Sequence, residues 1–236
     1  MIFPIGDDQV KGGSFPIFSY LFIAFNIGAF IFELTLSEAQ LHAFVLEFGI
    51  IPAEITSGKE YADLLTSMFL HGGWMHLIGN MLFLWVFGDN IEAIVGNVQY
   101  VLFYMLGGLA ASAAHIFFHP ADVVPTIGAS GAISAILGAY LVMFPRSQIK
   151  VLVIYLFSSF RMAAIYFLGL WIVQQLFSGI AALSGVGGQV TGGVAWWAHI
   201  GGFAFGVLAG LYFKNRYSIE QRTDIIPHNN KFNLYE

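Results

Sequence analysis

Six apolar stretches, each near the length needed to cross a bilayer, follow one another along this chain of 236 residues. They run over about 17–36, 75–95, 98–118, 128–144, 162–182 and 196–213. A helix rises about 1.5 Å per residue, so about 20 mainly apolar residues span the hydrocarbon core. In lipid, every backbone polar group must be paired within the bundle, which turns such stretches into helices. Composition agrees: 58% of the residues are hydrophobic and 10% are charged, against roughly 45–50% and 25% in soluble domains. The expected fold is therefore all-α, a polytopic membrane bundle of six transmembrane helices.

The same reading divides the chain into a cytoplasmic N-terminal segment (1–15), a six-helix membrane domain (16–214) and a cytoplasmic C-terminal tail (215–236). The start carries Asp7 and Asp8 and no basic n-region, so the first apolar run is expected to be a retained span and not a cleaved leader. The run 151–160 is apolar but too short to span beside its neighbour, and is expected at the interface. The long segment 37–74 mixes polar and helix-forming pieces, and 183–194 is glycine-rich. With six spans both termini share one side. Lys11, Arg146, Lys150, Arg161, Lys214, Arg216, Arg222 and Lys231 then lie together, and Lys59 lies opposite. The excess of basic residues places both termini in the cytoplasm and the protein in the cell inner (plasma) membrane. The chain contains no cysteine, which excludes disulfides, zinc–thiolate sites and a cysteine nucleophile. A net charge of −5 gives no sign of nucleic-acid binding.

Polar side chains inside spans are expensive and tend to be functional. Three clusters sit near the outer ends of spans two, four and six: His71 to Asn80, Gly128-Ala-Ser130-Gly131, and Trp197-Ala-His199-Ile-Gly-Gly202. Singly, each has an ordinary explanation. His76 and Asn80, four apart on one helix face, could be an interhelical packing bond. Ser130 lies on a stripe of small residues with Gly128, Ala132, Ala135 and Ala139, which would let another helix approach. His199 could be a proton relay, and the row Gly202, Gly206, Gly210 would hold its helix against a neighbour. Together they suit acyl transfer. A serine needs a base, and a tetrahedral intermediate needs hydrogen-bond donors. His76, the Asn80 amide and the backbone N–H groups opening span four could supply the donors. Asp89 and Glu92 lie about 20 Å down span two, so a Ser–His pair is the economical arrangement.

At these residues the sequence resembles the rhomboid family of intramembrane serine proteases. The matching pieces are LLTSMFLHGGWMHLIGNM (64–81), GASGAISAILGAY (128–140) and AHIGGFAFG (198–206). The resemblance implies that Ser130 is the nucleophile and His199 its base, with His76, Asn80 and the Ser130 N–H binding the oxyanion. It also implies a structural or water-handling role for His71, a structural role for Glu92, a partly embedded outer loop at 37–74, and a gate made by 183–194 and span five. Gly128, Gly131 and Gly202 belong to the matching motifs. The partners implied are transmembrane protein substrates and the lipid bilayer, with no nucleic acid, metal or organic cofactor. Two departures stand out. Tyr61-Ala-Asp63 replaces a Trp-Arg pair that many members carry, and Ser134 replaces a tyrosine that in some members stacks on the base, leaving Trp196 or Trp197 to hold His199. Two other functions are consistent with such a chain: a non-catalytic rhomboid-like protein that binds membrane clients, and a transporter. Against the transporter, no charged residue falls at mid-bilayer and no duplicated broken-helix pattern appears.

Overall fold

The computed structural model describes residues 2–8, 10, 13–184 and 194–217. Most of the loop 183–194 and all of the tail beyond Tyr217 lie outside the described residues, so the gate expected at the loop does too. In chain order the elements are β1 (Ile2–Gly6), α1 (Ile17–Glu33), α2 (Glu38–Phe48), α3 (Pro52–Thr56), α4 (Asp63–Thr66), α5 (Trp74–Val95), α6 (Asn97–Phe118), α7 (Ser130–Met143), β2 (Gln148–Val153), β3 (Ser158–Ala163), α8 (Ala164–Leu183) and α9 (Trp196–Tyr217). Each apolar stretch is one helix, with ends within four residues of those read from the sequence. Helices α5, α6, α8 and α9 are long and apolar enough to cross a membrane, whereas α1 and α7 are shorter apolar helices of 17 and 14 residues.

The brevity of α7 goes with its position. It is the central helix, packed against α9, α6 and α5, and every residue from Gly131 to Tyr140 is buried. In lipid no hydrophobic force drives helices together, so close van der Waals contact must hold them. Glycines supply that contact. A Cβ added at Gly206 of α9 would lie 1.9 Å from the Ala135 carbonyl oxygen, and one at Gly202 would lie 2.2 Å from that of Gly131. The small-residue stripe of span four and the glycine row of span six are thus two sides of one interface.

α1 leans on α5 and α6. Pro16 at its N-terminus makes no side-chain cap. Glu92, fully buried near the end of α5, takes over: Oε1 accepts from Phe18 N (2.9 Å), and Oε2 accepts from Ser19 N (2.7 Å) and Ser19 Oγ (2.8 Å). A carboxylate suits a helix N-terminus, where unpaired N–H groups carry partial positive charge.

The all-α expectation needs one correction. A three-stranded antiparallel sheet, in the order β1-β2-β3, lies at the end of the bundle where α5 and α7 finish. The run 151–160, expected as an interfacial piece, is the middle of the β2–β3 hairpin, turning at Phe157 with φ +44°. Burial alternates along β2: Ile149 and Val151 are buried on one face, and Gln148 and Lys150 are not. The N-terminal segment supplies β1 and is latched down by its acids. Asp7 accepts from Tyr140 Oη and Asn90 Nδ2, and Asp8 accepts from Gln148 N (2.8 Å) and pairs with Arg161 (3.2 Å). At the opposite end, segment 37–74 holds α2, α3, α4 and a 3-10 turn at Ser67–Phe69.

Candidate active site

Helices α5, α7 and α9 begin at the end away from the sheet, and their first turns meet there. The chain reaches α7 through a tethered loop. Thr126 and Ile50 exchange backbone hydrogen bonds (2.8 and 3.0 Å), and Gly128 N donates to Ser67 O (2.8 Å). Gly128 has φ +128°, a conformation that favours glycine. A Cβ there would also meet His76 Nε2 at 2.7 Å. With that turn made, Ser130 is the first residue of α7, where backbone N–H groups have no acceptor within the helix.

Ser130 Oγ lies 2.8 Å from His199 Nε2, across 69 residues of sequence. The close packing of α7 on α9 sets this distance: Gly202 sits one turn below His199 against the Gly131 carbonyl, and Gly131 itself admits Ala111 of α6, 2.6 Å from where its Cβ would be. Both side chains line a partly open cavity of ≈ 1480 Å³, together with His76, Asn80 and Gly128. His76 and Asn80 flank the turn before Ser130, within 4 Å of a Cβ placed on Gly128. Asn80 Nδ2 is also 2.9 Å from Nε2 of the buried His71, so Asn80 ties the cavity wall to the outer loop. His71 N in turn donates to Glu33 at the end of α1 (3.2 Å). His71 is therefore a support behind Asn80, packed ring to ring with His76 at 5.1 Å.

The surroundings of His199 differ from the reading of the sequence. Trp197 is turned away and stacks on Phe118 at 3.6 Å between centroids. Trp196 meets the imidazole edge-on at 6.4 Å, and Trp171 of α8 lies at 5.8 Å, tilted by 35°. The direct partner is Gln175 of α8, whose Oε1 is 2.7 Å from His199 Nδ1. Gln175 lies in span five, outside the polar clusters at the outer ends of spans two, four and six. The available signal was a Gln174-Gln175 pair inside an otherwise apolar span, where an amide needs a partner. Ser134, which stands where some rhomboids have a tyrosine, donates to the Ser130 carbonyl (2.6 Å) within its own helix.

Chemically, the arrangement offers a hydroxyl hydrogen-bonded to an imidazole, helix-start N–H groups beside it, and two further polar side chains at the turn before it. Comparison with known proteins points the same way. Residues 58–216 match the model of the rhomboid domain. The chain is 38% identical over 127 residues to the rhomboid protease GluP of Bacillus subtilis, covering 53% of this chain and 24% of that protein. It is 30% identical over 191 residues to RHOMBOID-like protein 4 of Arabidopsis thaliana, covering 80% of this chain and 44% of the other. It is 28% identical over 179 residues to the mitochondrial Rhomboid protein 1 of Saccharomyces cerevisiae, covering 72% and 46%. The matches thus span less than half the length of each of these relatives. With the domain matched over more than half of the chain, and its motifs gathered at one cavity, this multi-pass membrane protein belongs to the rhomboid family.

Proposed function

We propose that the chain is an intramembrane serine endopeptidase that hydrolyses peptide bonds in or near the transmembrane segments of other membrane proteins. The observation that carries this reading is the 2.8 Å contact between Ser130 Oγ and His199 Nε2 inside a cavity. That distance is within the reach of a working nucleophile–base pair, about 2.6–3.2 Å. The similarity to a relative named as a protease supports it.

In the proposed reaction, His199 Nε2 takes the Ser130 proton as Oγ attacks the scissile carbonyl carbon. The oxyanion is met by the Ser130 N–H, the Asn80 amide and His76. His199 then gives the proton to the departing amine nitrogen, leaving an ester on Ser130. Water, deprotonated by His199, attacks that ester and regenerates the hydroxyl. A substrate helix must unwind locally to present an extended bond, and the cavity is where it would lie. Access past α8 fits the slight burial of that helix, of whose 20 residues four are buried. In this reading α1 and α7 complete a set of six spans. The sheet end, with Arg146, Lys150 and Arg161, faces the cytoplasm together with both termini, in the inner (plasma) membrane.

The test is to purify the protein in detergent and follow fluorophosphonate labelling and cleavage of a generic transmembrane substrate. Wild type should do both, while Ser130→Ala and His199→Ala should do neither. Cleavage that survives Ser130→Ala in a clean preparation removes the assignment. A wild-type protein that neither labels nor cleaves would favour a client-binding role instead.

A further inference from the structure

An amide buried inside a membrane bundle needs a hydrogen-bond partner, because leaving it unpaired in hydrocarbon is costly. The buried residues of α8 are Ala164, Leu168, Gln175 and Gly179, which fall on one helical face. The others seat the helix. At Gly179 an added Cβ would already meet Ile200 Cδ1 at 3.2 Å and Trp197 Cε2 at 3.4 Å, both on α9. Gln175, 3% exposed, is the polar member of this face.

The orientation of its amide is set from both sides. Nε2 donates to Gln174 Oε1 (3.1 Å), which turns Oε1 toward His199 Nδ1 at 2.7 Å. An amide oxygen only accepts, so Nδ1 must carry the imidazole proton. Nε2 then holds a lone pair and faces Ser130 Oγ at 2.8 Å. The other tautomer would aim an N–H at the hydroxyl, with no lone pair to take its proton.

We infer that Gln175 is the positioning residue for the base: it fixes the tautomer and ring orientation of His199, so span five must be seated on α9 for Ser130 to be activated. This rests on reading Ser130 and His199 as nucleophile and base. The effect belongs to the chemical step. As His199 takes the proton it becomes an imidazolium, and its bond to Gln175 becomes charge-assisted and stronger. An interaction that strengthens in the transition state appears in kcat more than in KM.

The experiment uses the full chain in detergent or proteoliposomes, with a generic transmembrane substrate, a fluorophosphonate probe and Ser130→Ala as the blank. Gln175→Met keeps length and volume but removes the acceptor. Gln175→Glu keeps an acceptor at the same reach. Losing a hydrogen bond to a charged group corresponds to roughly a 10- to 100-fold loss. Gln175→Met should therefore lower kcat and labelling rate by about that factor at unchanged KM, and Gln175→Glu should stay within a few-fold of wild type. Nitrogen NMR of His199 should show Nδ1–H in wild type and Gln175→Glu, and a tautomer mixture in Gln175→Met. A packing role predicts the reverse order, with methionine tolerated and the buried carboxylate harmful, and that result overturns the inference. So does wild-type kcat in Gln175→Met while Ser130→Ala is inactive, which leaves the nucleophile assignment standing. Cleavage in Ser130→Ala would instead remove the nucleophile itself. Should the methionine variant not fold, Gln175→Leu takes its place under the same criteria.

Discussion

Replacing Gly206 by alanine adds one methyl group at the tightest point between α7 and α9. The new Cβ would lie 1.9 Å from the Ala135 carbonyl oxygen, 2.7 Å from its carbon and 2.8 Å from its Cα, all backbone atoms that no rotamer change can move. Real Cβ contacts essentially never fall below 3.0 Å, so the helices must part by about 1.1 Å, the difference between 3.0 and 1.9. At Gly202 the corresponding contact is 2.2 Å, and the opening is about 0.8 Å. Distance from the site alone would make Gly206 the milder position, but the contacts make it at least as severe. Alanine should gain about 0.5–1 kcal/mol of helix preference over glycine, while overpacking costs about 1–3 kcal/mol. A net loss near 1–2 kcal/mol corresponds to a melting temperature roughly 2–8 °C lower at this size. His199 lies two turns, about 10 Å, toward the N-terminus of the same helix. If the opening is transmitted along it, the 2.8 Å contact with Ser130 stretches toward about 3.9 Å, beyond the reach of a working base. A misplacement of about 1 Å can cost on the order of 10²-fold in rate. Gly28→Ala and Gly169→Ala are the controls, because a Cβ at either meets nothing within 4 Å. They should melt no lower than wild type and cleave normally. The assay is melting temperature and cleavage rate for Gly206→Ala, Gly202→Ala and the two controls. Wild-type melting and cleavage in Gly206→Ala would mean that this face does not set the approach of α9 to α7, and the geometry drawn for the site would fall with it.

Three further outcomes are expected. His76→Ala and Asn80→Ala should each lower turnover by on the order of 10²–10³ while leaving some serine labelling. Asn80→Ala should also melt lower, since it strips a partner from buried His71; wild-type turnover in both would remove them from the oxyanion site. Glu92→Gln turns one acceptor of the α1 cap into a donor that faces either the Phe18 N–H or the donors of Ser19. It should lose about 1–3 kcal/mol of stability with labelling at low temperature unchanged, and an unaltered melting curve would contradict the capping role. Asp63, buried at the start of α4 in the loop, has its carboxyl raised above the ordinary 3.8 by burial and then by Glu60, Glu54 and Glu47. The folded chain therefore holds that proton more tightly than the unfolded chain, so this group's contribution to stability falls as pH rises through the window above 3.8. Asp63→Asn should melt higher than wild type at neutral pH, with the difference fading as pH drops below that window; a lower neutral-pH melting temperature would contradict this.

What the sequence by itself determined follows from local rules. An apolar run in lipid has to close its hydrogen bonds within a helix, so the positions of all six helices were legible to within a few residues. The small-residue rows in spans four and six were legible too, because a glycine or alanine at every third or fourth residue marks one face wherever that face ends up. Nearness of Ser130 to His199 could be argued from matched depths and from resemblance, although the contact itself belongs to the packed bundle. Other features depended on how separate elements meet. The sheet was not legible because β1 pairs Ile2 with Val153 across four of the six apolar stretches, and a short apolar run looks alike as a strand or an interfacial piece. Glu92 was legible as a buried acid but not as the cap of α1, because its partners Phe18 and Ser19 lie more than seventy residues away. Gln175 was hidden for the same reason. Which face of α8 turns inward is decided by where Gly179 and Leu168 seat against their neighbours, and only that rotation puts an amide oxygen, and not a leucine, against His199.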